Sequence, residues 1–198
     1  DGRPSLWLHS LRSLTAQVLP GTEGGGTPFW SPDSRTLAFV SGGRLKTVNT
    51  SGGPASTMSG RLAGSRGTWN RDGVILFAPQ AGPIFRISAS GGERSQVTQL
   101  DEQRRSHRFP QFLPDGRHFL YYVTGTVASP DVRGLYVGQL DGTDTRQLTD
   151  ADVAGIFVGT GHLLFIRQGT MFAQPFDPVR LSLRGAPFPV ASPVVTVA

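Results

Sequence analysis

Four histidines are the residues of this sequence best suited to acid–base or metal chemistry: His9, His107, His118 and His162. No two stand at the i, i+4 spacing that puts both imidazoles on one face of a helix, and no cysteine is present to complete a zinc set. No metal site and no cofactor are expected. The lack of cysteine also removes disulfides and thiol catalysis, and leaves the redox compartment open. Asp141-Gly142-Thr143-Asp144 has the look of a calcium loop, but it lacks the third carboxylate and the later glutamate. A hairpin turn explains it. A serine hydrolase needs Gly-x-Ser-x-Gly, and a kinase needs a Gly-rich loop, His-Arg-Asp and Asp-Phe-Gly. None of these occurs, and His107-Arg108-Phe109 lacks the aspartate that would act as base. The chain is therefore read as non-catalytic.

The remaining candidate chemistry is electrostatic. Formal net charge is +5, carried by 18 arginines and a single lysine, Lys46. The arginines are scattered except at 104–108, where Arg104, Arg105 and Arg108 surround His107. Arg66 stands before Trp69 much as 107–110 stand before Phe112. These five residues form the candidate site, suited to an anionic ligand or an acidic segment of a protein or peptide partner. The competing reading is a solvated loop whose charges keep the chain soluble. Scattered arginine is not a nucleic-acid footprint, so no nucleic-acid partner is expected. No run approaches 18 apolar residues, so no membrane contact is expected within this chain. No basic start leads into an apolar stretch, so no signal peptide is visible. The sequence opens on Asp1 without an initiator Met, which suggests a processed product or an excised fragment.

The elements that must position these residues are short. Gly and Pro number 26 and 15, too many breakers for a helical bundle. Three segments join an aromatic residue to a tight turn: Phe29-Trp30-Ser31-Pro32-Asp33-Ser34, Trp69-Asn70-Arg71-Asp72-Gly73 and Phe112-Leu113-Pro114-Asp115-Gly116. Gly159-Thr160-Gly161-His162 is a degenerate fourth copy. Each leads into an apolar strand, at 36–40, 74–78, 118–123 and 163–167. The aromatics Phe39, Phe77, Tyr121 and Phe165 recur there at intervals of 38, 44 and 44 residues. A second apolar strand and a short polar one follow each. Four short strands per roughly 40 residues is the period of a β-propeller blade.

The expected fold is all-β: a propeller fragment of four-stranded antiparallel blades forming a single domain. It reads as a half-blade at 1–26, blades at about 27–60, 67–100, 108–150 and 154–191, and the start of another at 192–198. That makes about four and a half blades of a six- or seven-bladed ring. Open blade edges would favour self-association. The seven repeated aromatics, Trp30, Trp69 and Phe112 with Phe39, Phe77, Tyr121 and Phe165, are expected in the cores between blades. The candidate residues should lie in D–A loops, on the same side as the long B–C connection 124–134. The turns carrying Asp33, Asp72 and Asp115 should lie on the other.

The stretch Trp30-Ser31-Pro32-Asp33-Ser34-Arg35-Thr36-Leu37-Ala38-Phe39 resembles the repeat of TolB-type propellers, and the resemblance covers nearly the whole chain. Residues 67–75, 106–121 and 164–177 resemble more narrowly the propellers attached to bacterial membrane-bound serine/threonine kinases. That resemblance implies a sensor or interaction module outside the cytoplasm, following a kinase domain and one membrane helix. The same repeat also occurs in the gating propellers of prolyl-peptidase-type hydrolases and in Tol-type periplasmic scaffolds. Those are the rival expectations.

Overall fold

The computed structural model describes residues 2–12, 15–61, 64–126, 128–142 and 144–195. Strands β1 (Trp7–His9) and β2 (Ala16–Val18) form a two-stranded sheet. The first complete blade is β3 (Gly25–Trp30), β4 (Thr36–Ser41), β5 (Arg44–Asn49) and β6 (Ser56–Arg61). The second is β7 (Gly64–Trp69), β8 (Val74–Pro79), β9 (Phe85–Ser88) and β10 (Ser95–Gln96). The third is β11 (Arg104–Phe112), β12 (His118–Gly125), β13 (Gly134–Gln139) and β14 (Arg146–Thr149). The fourth is β15 (Ile156–Val158), β16 (His162–Arg167) and β17 (Thr170–Asp177), with β18 (Ser182–Leu183) and β19 (Phe188–Ala191) both pairing along β17. The chain is thus all-β, built of antiparallel sheets in sequential order, equivalent to between four and five blades of a larger ring. The expected next strand at 194–197 runs partly outside the described residues. Within them, the Val194 N–H donates to the Gly169 carbonyl at 2.8 Å.

By compactness the chain divides into two units, residues 1–80 with 85–95, and residues 81–84 with 96–198. In the first unit, Ala38, Leu45, Met58, Ile75, Phe77 and Ile87 form one core, and Leu19, Leu37, Phe39 and Val48 form another. The recurring aromatics Phe39, Phe77, Tyr121 and Phe165 are 0, 4, 2 and 1% exposed. The inner-strand aromatics depart from expectation. Trp69 and Phe112 are only partly buried, and Trp30 is 49% exposed. The reason lies in the neighbouring sheet. Trp30 lines a groove with Leu8, His9 and Gln17 of the half-blade, which supplies two strands among the described residues. Trp69, on the equivalent strand, packs on the core of a complete blade.

The inner strands share a register shift, between Gly26 and Phe29 in β3, Gly64 and Gly67 in β7, and Arg108 and Gln111 in β11. At the equivalent positions of β3 and β11, Thr27 and Phe109 take positive φ (49° and 55°) and are followed by Pro28 and Pro110. Proline has no N–H for a ladder, and a bulge is where a strand tolerates it.

The A–B turns use two kinds of cap. In the first blade, Ser31 Oγ accepts the Thr36 N–H (2.9 Å) and donates to Asp33 (2.6 Å). In the second, Asn70 Oδ1 accepts the Val74 N–H at 2.8 Å. The third blade has Leu113 at that position, buried in the core, and Asp115 Oδ1 alone accepts the Arg117 and His118 N–H groups (3.0 and 2.9 Å). Asp177 caps the fourth C–D turn in the same way, accepting the Val179 and Arg180 N–H groups, both at 2.9 Å.

These bonds act on acidity. The Ser31 and Arg35 donors hold Asp33 below the usual carboxylate range, and the Arg180 and Val179 amides hold Asp177 well below it. Burial works against the Asp115 carboxylate, but its bonds from His118 and Arg117 keep its pKa low. A carboxyl whose folded pKa is depressed contributes stability above its unfolded pKa and loses it as pH falls towards the folded value. The melting temperature is therefore expected to hold near neutral pH and to drop on acidification below about pH 4. Differential scanning calorimetry from pH 7 to 2 checks this. A melting temperature unchanged across the acid limb would show that the turn carboxylates contribute nothing.

Candidate functional site

Antiparallel pairing fixes which residues share an end of the strands in the second unit. One end gathers the start of β11, the end of β12, the β12–β13 connection, the segment after β14 and the β16–β17 turn. The other gathers the A–B and C–D turns, including Asp115. This is the division expected from the repeat, observed within one unit.

At the first end, Arg108 on β11 pairs with Tyr122 on β12, and Ser106 with Thr124. Arg108 Nε donates to Ser106 Oγ at 3.0 Å, and the Ser106 and Thr124 hydroxyls lie 3.0 Å apart. The Tyr122 hydroxyl donates to the Asp152 carbonyl at 2.8 Å. Burial raises the Tyr122 pKa, so it stays a neutral donor. Arg133 reaches Asp152 Oδ1 at 3.2 Å, and the Asp152 N–H donates to Ile166 O at 2.8 Å. Arg167 meets Asp150 at 3.0 Å, while its guanidinium lies over the rings of Phe172 and Phe165, 5.1 and 5.7 Å from their centroids. Burial works against the Asp150 carboxylate, but the Arg167 bond and charge hold its pKa below the ordinary value.

The long β12–β13 connection is fastened down. Among its described residues it carries one 3-10 turn, Pro130–Val132. The Tyr136 hydroxyl donates to the Val132 carbonyl (2.9 Å), and Gln147 Nε2 donates to the Asp131 carbonyl (3.2 Å). On the inner strands, the Gln111 amide bridges β11 to β15. Its Nε2 donates to Phe157 O at 2.9 Å, and its Oε1 accepts the Phe157 N–H at 2.8 Å. Third and fourth blades are thus joined by hydrogen bonds from the centre to the strand ends.

The candidate residues fall as follows. Arg104, Arg105, His107 and Arg108 lie in strand β11, not in a loop as expected, because this strand extends nine residues and pairs with the full length of β12. Arg104 and Arg105 open it, and their side chains lie outside the described residues. Arg108 is partly buried beside Tyr122. His107 is 1% exposed and structural in setting. Its ring packs on Tyr121 at 5.0 Å, its Nδ1 is 2.8 Å from the Thr98 hydroxyl, and its N–H donates to Gly82 O at 2.9 Å. The histidine therefore offers its ring to the core and not to a ligand. Arg66 is exposed on β7 and belongs to the first unit. Four residues escaped sequence reasoning: Arg133, Arg167, Asp150 and Asp152. The only signal for them was position, since Arg133 sits in the one long B–C connection. Asp101, Glu102 and Asp131 also belong to this end, so its charge is mixed, not uniformly basic. Among the described residues, no group of three His, Asp or Glu is arranged to hold a metal ion. No helix there is long and apolar enough to cross a membrane.

The backbone has close counterparts among solved structures. An oligogalacturonate lyase in complex with manganese superposes with a TM-score of 0.71 at 17% identity, covering 95% of this chain and 60% of that one. A TolB-type protein from Agrobacterium tumefaciens superposes at 0.69 and 16% identity, covering 93% and 74%. The fold is a β-propeller. An oligogalacturonate lyase from Vibrio parahaemolyticus superposes on the propeller at 0.68 and 14% identity, covering 91% and 58%. The propeller thus spans about three-fifths of the length of either lyase. No protein-family model matches the sequence, and no curated protein matches it. At these identities the likeness shows the fold alone, because one propeller scaffold carries unrelated chemistries.

Proposed function

We propose that this propeller is a non-catalytic interaction module that receives a protein or peptide segment on the strand ends carrying Arg108, Arg133 and Arg167. One observation carries the reading. Two adjacent blades present these arginines on strands and fastened turns, cross-linked by Arg133–Asp152 and Arg167–Asp150. A rigid surface of alternating charge meets an oppositely patterned segment without ordering itself first. Arg104 and Arg105 open β11 and add formal positive charge at this end of the strand, which favours acidic residues in the partner.

The likeness of 67–75 and 106–121 to kinase-attached propellers supports a place in the sensor part of a bacterial receptor-like serine/threonine kinase, outside the cytoplasm. The fold shared with a TolB-type protein is compatible with that location.

Titration of acidic peptides against the wild type and an Arg104/Arg105/Arg108→Ala variant, followed by fluorescence anisotropy, tests the binding face. The variant is expected to bind about tenfold more weakly, one unit of charge-assisted bonding. Wild-type binding should weaken as salt rises, because exposed charges are screened beyond about 8 Å at physiological ionic strength. Equal binding by both proteins, or none by either, removes this face from consideration.

A further inference from the structure

The opposite end of the third and fourth blades carries a groove of about 580 Å³ that owes nothing to the arginine face. It is lined by His118, Gln139, Asp144, Thr145, Arg146 and Arg180. Strand register puts several of these on one sheet face. His118 pairs with Gln139, and Val137, two residues before Gln139, pairs with Arg146. Val137 and Leu120 continue that face into the buried core, so the groove is the polar rim of a packed blade interface. Arg146 Nη2 donates to the Leu181 carbonyl of the neighbouring blade, which holds the guanidinium at the groove. The Gln139 carboxamide oxygen accepts Nη2 and Nε of Arg117 at 2.9 and 3.0 Å in the orientation that satisfies it.

His118 supplies the imidazole of the groove. Its place at the start of the B strand is taken by Thr36 in the first blade, Val74 in the second and His162 in the fourth, so the turn itself does not call for an imidazole. In the third blade, Asp115 caps both backbone amides with Oδ1, and its Oδ2 lies 2.5 Å from His118 Nδ1. The Asp115 carboxylate can only accept, so His118 Nδ1 donates to it and is committed to the turn. Nε2 is the ring nitrogen that this bond leaves for a ligand. The groove therefore combines a guanidinium with an imidazole nitrogen, partners for a carboxylate and a hydroxyl respectively.

We propose that this groove binds a small hydroxycarboxylate, its carboxylate on Arg146 and its hydroxyl hydrogen-bonded to His118 Nε2. Arg180 is engaged by Asp177 and Asp144 is an acid, so both set the limit on how many carboxylates the groove accepts.

Lactate and propionate differ by one hydroxyl and serve as the probes. Isothermal titration calorimetry of the whole chain is expected to show saturable binding of lactate, with propionate about tenfold weaker for want of the hydroxyl partner. In wild-type protein, lactate should shift the His118 ring proton resonance in NMR spectra. His118→Ala should bring lactate down to the propionate level, and Arg146→Gln should weaken both ligands. Failure of lactate to bind saturably up to tens of millimolar overturns the proposal. So does equal binding of lactate and propionate, or a His118 resonance that does not respond. The last reading needs no variant, so a destabilised mutant cannot obscure it. The acidic-peptide titration addresses the other end of the strands, so the two outcomes are independent.

Discussion

Replacing Phe165 by alanine is expected to destabilise the second unit by about 3–5 kcal/mol, the range for truncating a fully buried aromatic. The side chain is 1% exposed and belongs to a core with Leu113, Leu120, Leu135, Leu163 and Phe176. It stacks on Phe172 at 5.8 Å, and the two rings carry the Arg167 guanidinium. Close-packed interiors relax only partly around a deleted ring, so a cavity term adds to the lost burial. Urea unfolding followed by near-ultraviolet circular dichroism measures the cost. A loss below about 1 kcal/mol would show that the interface between third and fourth blades is not packed as described. The variant should also loosen the Arg167–Asp150 pair, since the surface over which the guanidinium lies is removed. That couples the core to the strand ends that carry the proposed partner face.

Gly155→Ala is expected to cost about 3 kcal/mol, the upper end for overpacking a well-filled site. Gly155 precedes β15, where the chain turns inward from the segment after β14. A Cβ there would collide with Leu135 Cδ1, lie 2.6 Å from the Leu164 carbonyl oxygen and 3.3 Å from Phe165 Cβ. The demand is for space. The leucine tip could swing aside, but the carbonyl belongs to strand β16, which is paired on both sides. The double variant Gly155→Ala with Leu135→Ala should therefore be less stable than Gly155→Ala alone, because it adds a cavity and leaves the backbone clash. Thermal melts of the three proteins decide this. A double variant as stable as wild type would place the whole clash on Leu135, and a harmless Gly155→Ala would contradict the close approach itself.

Much of the fold was legible because its turns use a small chemical vocabulary. The Pro-Asp turns at 32–33 and 114–115 mark the same step in the first and third blades, and the aromatics one strand later fall in the buried layer. The inner-strand aromatics were harder. Trp30 repeats Trp69 in sequence, but a repeat unit specifies one face of an interface, and burial needs the other. Against a two-stranded half-blade, the same residue stays half exposed. His107 failed for a related reason. Its arginine neighbours suggested a charged loop, whereas alternation along a nine-residue strand turns it inward while Arg108 faces Tyr122.

The candidate sites divide along the same line. By itself the sequence determined the blade period, the turn chemistry and the ends of the strands on which each connection falls, because these depend on residues close in the chain. Tertiary structure alone decided which polar groups meet. Arg133 finds Asp152 across 19 residues, Gln111 finds the Phe157 backbone across 46, and Arg146 finds the Leu181 carbonyl across 35. Such pairs have no local signature, since any arginine at a strand end could meet several aspartates until blade packing fixes one. The His118–Asp115 pair lies only three residues apart and was within reach of the sequence. Its consequence was not, because the groove it faces exists only once the third and fourth blades pack together.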